Sequence, residues 1–254
     1  MTESRQGRLK STPGCFRSHI ITLSTFPCST IAQKERPTQR VEYNLTASSF
    51  EEFISFLFDK PVPPPKSKDH WYWNADVLFL PNTIAAYYVR LFTEPAFLLL
   101  QFDKGQLEQG FWAIQSYNLE CSVARVIWDP TLPFSMRENC VRSMLHLFKR
   151  LFAIEPLDTS AYMWWDSLCY DWHCGNRSRN LGGEDKAMQD VMFQTLSQVL
   201  DLPSEHCQGA ALHGLSHLHH PDTEELIAQF LKRNPNLEER KRSYALAASR
   251  FQVL

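Results

Sequence analysis

The sequence predicts an all-α fold, an irregular α-solenoid or stack of antiparallel helical hairpins. Three observations carry this reading. Apolar residues recur at helical spacing through most of the chain after Phe50. Prolines and short polar turns separate those segments. Glycine is sparse, nine residues in 254, which disfavours a turn-rich β fold.

Size and composition bound the rest. With 44% hydrophobic and 21% charged residues, the chain reads as an ordinary globular protein long enough for a sizeable core. A net charge of −2 provides no field to draw nucleic acid or anionic lipid, so neither is expected as a partner. No apolar run approaches the ~20 residues of a membrane span. Seven cysteines stand at 15, 28, 121, 140, 169, 174 and 207 without a CxxC pair. That excludes a zinc ribbon and a thioredoxin-type motif, and it suits free thiols in a reducing cytoplasm.

Residues 1–40 carry seven Lys or Arg against two Glu and eleven Ser or Thr. They read as a disordered or leader segment, with a transit-type targeting sequence as the alternative. Residues 41–254 read as a single helical domain. "SSFEEFISFLFDK" is expected to be helical, with Ser48 or Ser49 as N-cap and Glu51 and Glu52 in the first turn. "PVPPP" at 61–65 ends it as a stiff, extended connector. "HWYWNADVLFL" suits a short strand, but no partner strand is evident.

"PNTIAAYYVRLFTEP" is expected as a proline-bounded helix, and the segment from Pro95 to Ser116 as two short helices broken near Gly105. "CSVARVIWDP" fits either a strand or a buried helical turn. Val141, Met144, Leu145, Phe148, Leu151 and Phe152 form one helical face. Asp158, Thr159 or Ser160 would cap a further helix through "AYMWWDSLCYDW", and "EDKAMQDVMFQTLSQVLDLP" is expected as another. Three helices follow, at roughly 204–219, 222–233 and 237–250, joined by connectors short enough to make neighbours antiparallel.

Residues 206–254 contain small residues Ala210, Ala211 and Gly214 beside Leu212, Leu215 and Leu218, then "HPDTEELIAQFLK", then "YALAA". This segment resembles a HEAT-type helical repeat, in which small residues let helices approach closely while leucines fill the layer between hairpins. The resemblance implies a scaffold or binding surface and no chemistry.

The stretch Glu205–Asp222 carries five of the chain's nine histidines. On a helical wheel His206, His213, His217 and His220 fall within about 60° of one another, with the leucines on the other side. His213 and His217 have the i, i+4 spacing that grips a single metal ion. Cys207 and His220 are further candidate ligands for zinc. The HExxH pattern is absent, and the helix offers no carboxylate of its own at a ligand turn. The competing expectation is that the histidines face solvent or pack on a neighbouring hairpin.

"CYDWHCG" raises a second candidate, with Cys169, Asp171, His173 and Cys174 as zinc ligands or as a Cys–His nucleophilic pair. The simpler reading makes Cys169 core and His173 a cap on the helix end. Asp166 and Asp171 diverge by about 140° on a helix, a poor acid–base pair. "AYMWWDSLCYDW" reads as an aromatic core plug or an exposed partner anchor, as does "HWYWN". No catalytic or cofactor-binding residue is read. The leading expectation is a cytoplasmic scaffold that binds a protein partner; the alternative is a zinc-type metal-binding protein or hydrolase.

Overall fold

The computed structural model describes residues 40–64, 67 and 69–253. The expected leader therefore lies outside the described residues apart from Arg40, as does Pro65 of the connector. The fold is all-α apart from a two-stranded sheet. Among the described residues, β1 (Val41–Asn44) pairs in parallel with β2 (Ala75–Leu78), in register from Val41 with Ala75 to Asn44 with Leu78. The missing partner of "NADVL" is thus the "VEYN" stretch at the start of the described chain. A parallel pair needs a crossover, and α1 (Phe50–Phe58) supplies it.

Local rules account for several helix boundaries. Ser49 caps α1: its hydroxyl accepts from the Glu52 N–H, and the Glu52 carboxylate accepts from the Ser49 N–H at 2.7 Å. Pro81 opens α2 (Pro81–Thr93). The break between α3 (Leu98–Gln101) and α4 (Lys104–Gln115) falls at Asp103, which forms a capping box with Gln106. Gly105 lies inside the first turn of α4, so the cap and not the glycine sets the boundary. The ambiguous "CSVARV" forms the short helix α5 (Val123–Val126), buried under the Tyr88 hydroxyl, which donates to the Cys121 carbonyl at 2.7 Å.

The clearest periodic segment becomes α6 (Phe134–Leu147) and runs on through a π-turn over Phe148–Phe152. Next comes α7 (Trp164–His173). Asp158, Thr159 and Ser160 do not cap it. Their three N–H groups donate instead to the Glu108 carboxylate of α4, at 3.0–3.3 Å, and this pins the loop that leads into α7. The chain ends with α8 (Gly183–Leu200), α9 (Glu205–Leu218), α10 (Thr223–Arg233) and α11 (Glu239–Ser249).

Helix α2 packs on α6, α6 on α8 and α8 on α9; α9 also packs on α7 and α11. The two tryptophans at the start of α7 fill the centre. Both Trp164 and Trp165 are fully buried, and the Trp164 ring meets Phe92, Phe111 and Phe152 at centroid distances of 5.5–6.0 Å. This is the core plug of the two aromatic readings, and truncation of either indole would cost about 3–5 kcal/mol. Tyr162 and Tyr170, from the same sequence cluster, are exposed at the rim. No described helix is long and apolar enough to cross a membrane.

Candidate metal centre

Helix α9 is covered on nearly every side: Cys207 and all of Ala210–Leu218 are buried. The reason lies in Gly214. A Cβ at this position would sit 2.5 Å from the Trp165 Cβ and 2.9 Å from Leu196 Cδ2. Those atoms belong to α7 and α8, so the missing side chain lets both helices close on α9 at once. The wheel separated a leucine face from a histidine face and left the latter to solvent or a neighbour. The neighbour is α7, and it brings a carboxylate.

His213 and His217 are each only 2% exposed. Asp166 Oδ1 of α7 lies 3.2 Å from His217 Nε2 and 3.8 Å from His213 Nε2. Donor atoms of the three residues all lie within 4.8 Å of one another. Two ligands on one ion at metal–ligand distances of about 2.0–2.1 Å stand roughly 3–3.5 Å apart, so the spacing is close to that of a coordination sphere. Hydrogen bonding leaves the rings unsatisfied. Among the described residues, neither His213 Nε2 nor either nitrogen of His217 has a hydrogen-bond partner. Buried polar atoms left unpaired cost free energy, and an ion is one way to recover it.

The surroundings orient the set. His213 Nδ1 is 3.2 Å from the Tyr244 hydroxyl of α11, which hydrogen-bonds in turn to the Tyr162 hydroxyl. With Nε2 ligating a cation, Nδ1 carries the ring proton and donates it to Tyr244, the outer partner that metal-bound imidazoles ordinarily have. The Tyr162 ring also packs on His213 at 4.8 Å.

Burial holds both imidazoles neutral, which is the form that binds metal. It pushes His213 down to about 4. It pushes His217 down to about 3, with help from the neighbouring His213, His173 and His219. Burial pushes Asp166 up, against a smaller pull from His173. The two histidine shifts predict acid lability for metal-free protein. In the unfolded chain both rings take a proton near pH 6.5, whereas the folded protein refuses it until pH 4 or 3. Unfolding therefore takes up protons in that window, and stability falls as the pH drops below 6.5, by on the order of 3 kcal/mol for each ring. Urea midpoints of chelator-treated protein should be markedly lower at pH 5 than at pH 7.5; equal midpoints would mean that the rings reach solvent.

The other sequence candidates do not join these two histidines. His206 is exposed. Cys207 is buried with its thiol against the Phe148 carbonyl at 3.7 Å, and burial pushes its pKa up. His220 lies past the end of α9 and turns the other way, onto Asp190 Oδ1 at 3.0 Å and flat against Phe193 at 3.9 Å. On α7, Cys169 is a fully buried thiol pushed well up by desolvation, the opposite of an activated nucleophile. Asp171 is engaged by Arg177 and the Asn176 amide. Sequence reasoning passed over Asp166 as a ligand. The signal that points to it is the placement of Asp166, Tyr170 and His173 at i, i+4 and i+7 on one face of α7.

No protein-family model matches the chain, and no curated protein or solved structure does.

Proposed function

We propose that this chain is a zinc-type metal-binding protein whose ion is held by Asp166, His213 and His217. The observation that carries the reading is the convergence of three donor groups from two helices on one small volume, with buried nitrogens that no other described group satisfies. Two imidazoles and one carboxylate suit divalent zinc or iron. Three protein donors leave a coordination position for water. A zinc ion lowers the pKa of such a water towards ~7, the chemistry of hydrolytic sites. Asp166 is about a third exposed, which gives the centre a side open to solvent.

The test is thermal unfolding of untagged, chelator-stripped protein. Zinc at a thousandfold excess over its dissociation constant stabilises by about 4 kcal/mol and raises the melting temperature by several degrees. No shift with zinc, ferrous iron or cobalt would remove the proposal.

A second reading, compatible with the first, keeps the helical scaffold that binds a protein partner, with α9–α11 as a HEAT-like hairpin stack. It is favoured by a groove of about 720 Å³ beside Leu212, Phe230, Leu237 and Tyr244, edged by Glu205, Glu238 and Lys241. Free thiols at Cys121, Cys140, Cys169 and Cys207 fit a reducing cytoplasm for either reading.

A further inference from the structure

We infer that Lys60 is an N-methylation site, with the methylated ammonium held in an aromatic cage of Tyr43, Phe56 and Trp71. The site uses none of the metal-centre residues. Its three rings come from β1, from α1 and from the short helical turn Trp71–Trp73 that precedes β2. They meet edge to face, with centroids 4.9 Å apart for Tyr43 and Phe56, 5.1 Å for Phe56 and Trp71, and 6.3 Å for Tyr43 and Trp71. Lys60 Nζ stands over all three, 4.6 Å from the Tyr43 centroid, 5.0 Å from Trp71 and 5.2 Å from Phe56. A cation within about 6 Å of a single ring face is already attracted to it, and several faces around one nitrogen make the kind of cage that receives methylated ammonium groups.

The surroundings of Nζ set it apart from an ordinary lysine. A lysine ammonium carries three N–H donors and normally extends to water or a carboxylate. Among the described residues, Nζ has no hydrogen-bond acceptor and no ion-pair partner; the adjacent Asp59 acts on it only through its charge. Burial pushes the Lys60 ammonium below its ordinary value, against a smaller upward pull from Asp59. More of it is therefore the neutral, nucleophilic amine than in an exposed lysine. Methylation suits this environment twice over. It keeps the positive charge that the ring faces attract, and it replaces unpaired N–H groups by methyl groups that the rings meet as apolar surface. Acetylation would remove the charge and with it the attraction. The nitrogen is within reach of an enzyme: Lys60 is half-buried, and Pro61 and Val62 beside it are exposed.

The co-reactant is a sulfonium methyl donor carried by a separate methyltransferase. The amine lone pair attacks the methyl carbon. A C–N bond forms as the C–S bond breaks, and sulfur leaves with that electron pair as a neutral thioether. The positive charge passes to nitrogen, and loss of a proton to solvent prepares the amine for the next transfer.

Two measurements test the inference. In the first, the untagged full-length protein is reductively methylated with isotope-labelled formaldehyde and a borane, and its methyl resonances are recorded. Ring currents should move the Lys60 dimethylamine resonance upfield of those of the other lysines. Its loss in Lys60→Arg assigns it, and in Tyr43→Leu it should move back towards the others. A Lys60 resonance that coincides with the others, that stays in place in Tyr43→Leu, or that never forms while the other lysines react overturns the cage. In the second, protein taken from the cells that naturally make it is mapped by peptide mass spectrometry. Methyl groups on Lys60 are expected; an unmethylated Lys60 throughout overturns the modification.

Discussion

Asp166→Ala should weaken zinc binding by at least about 100-fold while leaving the metal-free protein as stable as the wild type, or slightly more so. The first half follows from ligand count. Loss of groups that merely orient a ligand typically costs 10–100-fold in metal affinity, and on the proposed reading Asp166 is a ligand itself, one of three. It also supplies the only negative charge in that set. The second half follows from electrostatics. Burial pushes the Asp166 carboxyl up, so its charge is a burden to the folded state until a cation offsets it. The two nearby imidazoles are neutral near pH 7 and offset little. Competition titration with a chromophoric chelator and melting in EDTA read the two halves separately. A purely structural Asp166 would give the reverse result, a lowered metal-free melting temperature and unchanged zinc affinity.

Gly214→Ala should lower stability by about 1–3 kcal/mol, although alanine is by itself the better helix former by roughly 1 kcal/mol. The added methyl meets the Trp165 Cβ at 2.5 Å. That atom is fixed to the α7 backbone and cannot swing away as the tip of a flexible side chain would. Relief requires α7 and α9 to separate, and the same movement draws Asp166 away from His213 and His217. The substitution should therefore cost zinc affinity as well as stability, although it touches no ligand. Urea unfolding in EDTA and zinc competition measure the two losses. A more stable protein with unchanged zinc affinity would show that the approach of α7 to α9 is not set at Gly214.

The same glycine shows how much could be read beforehand. Period and punctuation located α1, α2, α6 and α8–α11 to within a few residues, because those signals are local. The i, i+4 pair His213 and His217 was also legible for that reason. The carboxylate was not, because Asp166 and His217 belong to different helices and meet only through packing. Gly214 was visible as one small residue in a small-residue helix, but sequence does not say which neighbour fills the space it leaves. Strand β2 was recognised as strand-like without a partner for the same physical reason. Its ladder is completed by residues 41–44, across α1 and the proline connector. His220 and Cys207 shared a helical wheel with the proposed ligands. However, His220 stands past the left-handed turn at His219, where the wheel no longer applies, and Cys207 sits near the start of α9 against the π-turn.

The central claim is that a transition-metal ion belongs to Asp166, His213 and His217. X-ray absorption at the zinc edge of untagged protein, loaded with one equivalent of zinc and desalted, tests it most directly. The account predicts a shell of nitrogen and oxygen at about 2.0–2.1 Å with the outer scattering of two imidazoles and no sulfur. A sulfur shell near 2.3 Å, or zinc lost on desalting to below ~0.1 per chain, would contradict it.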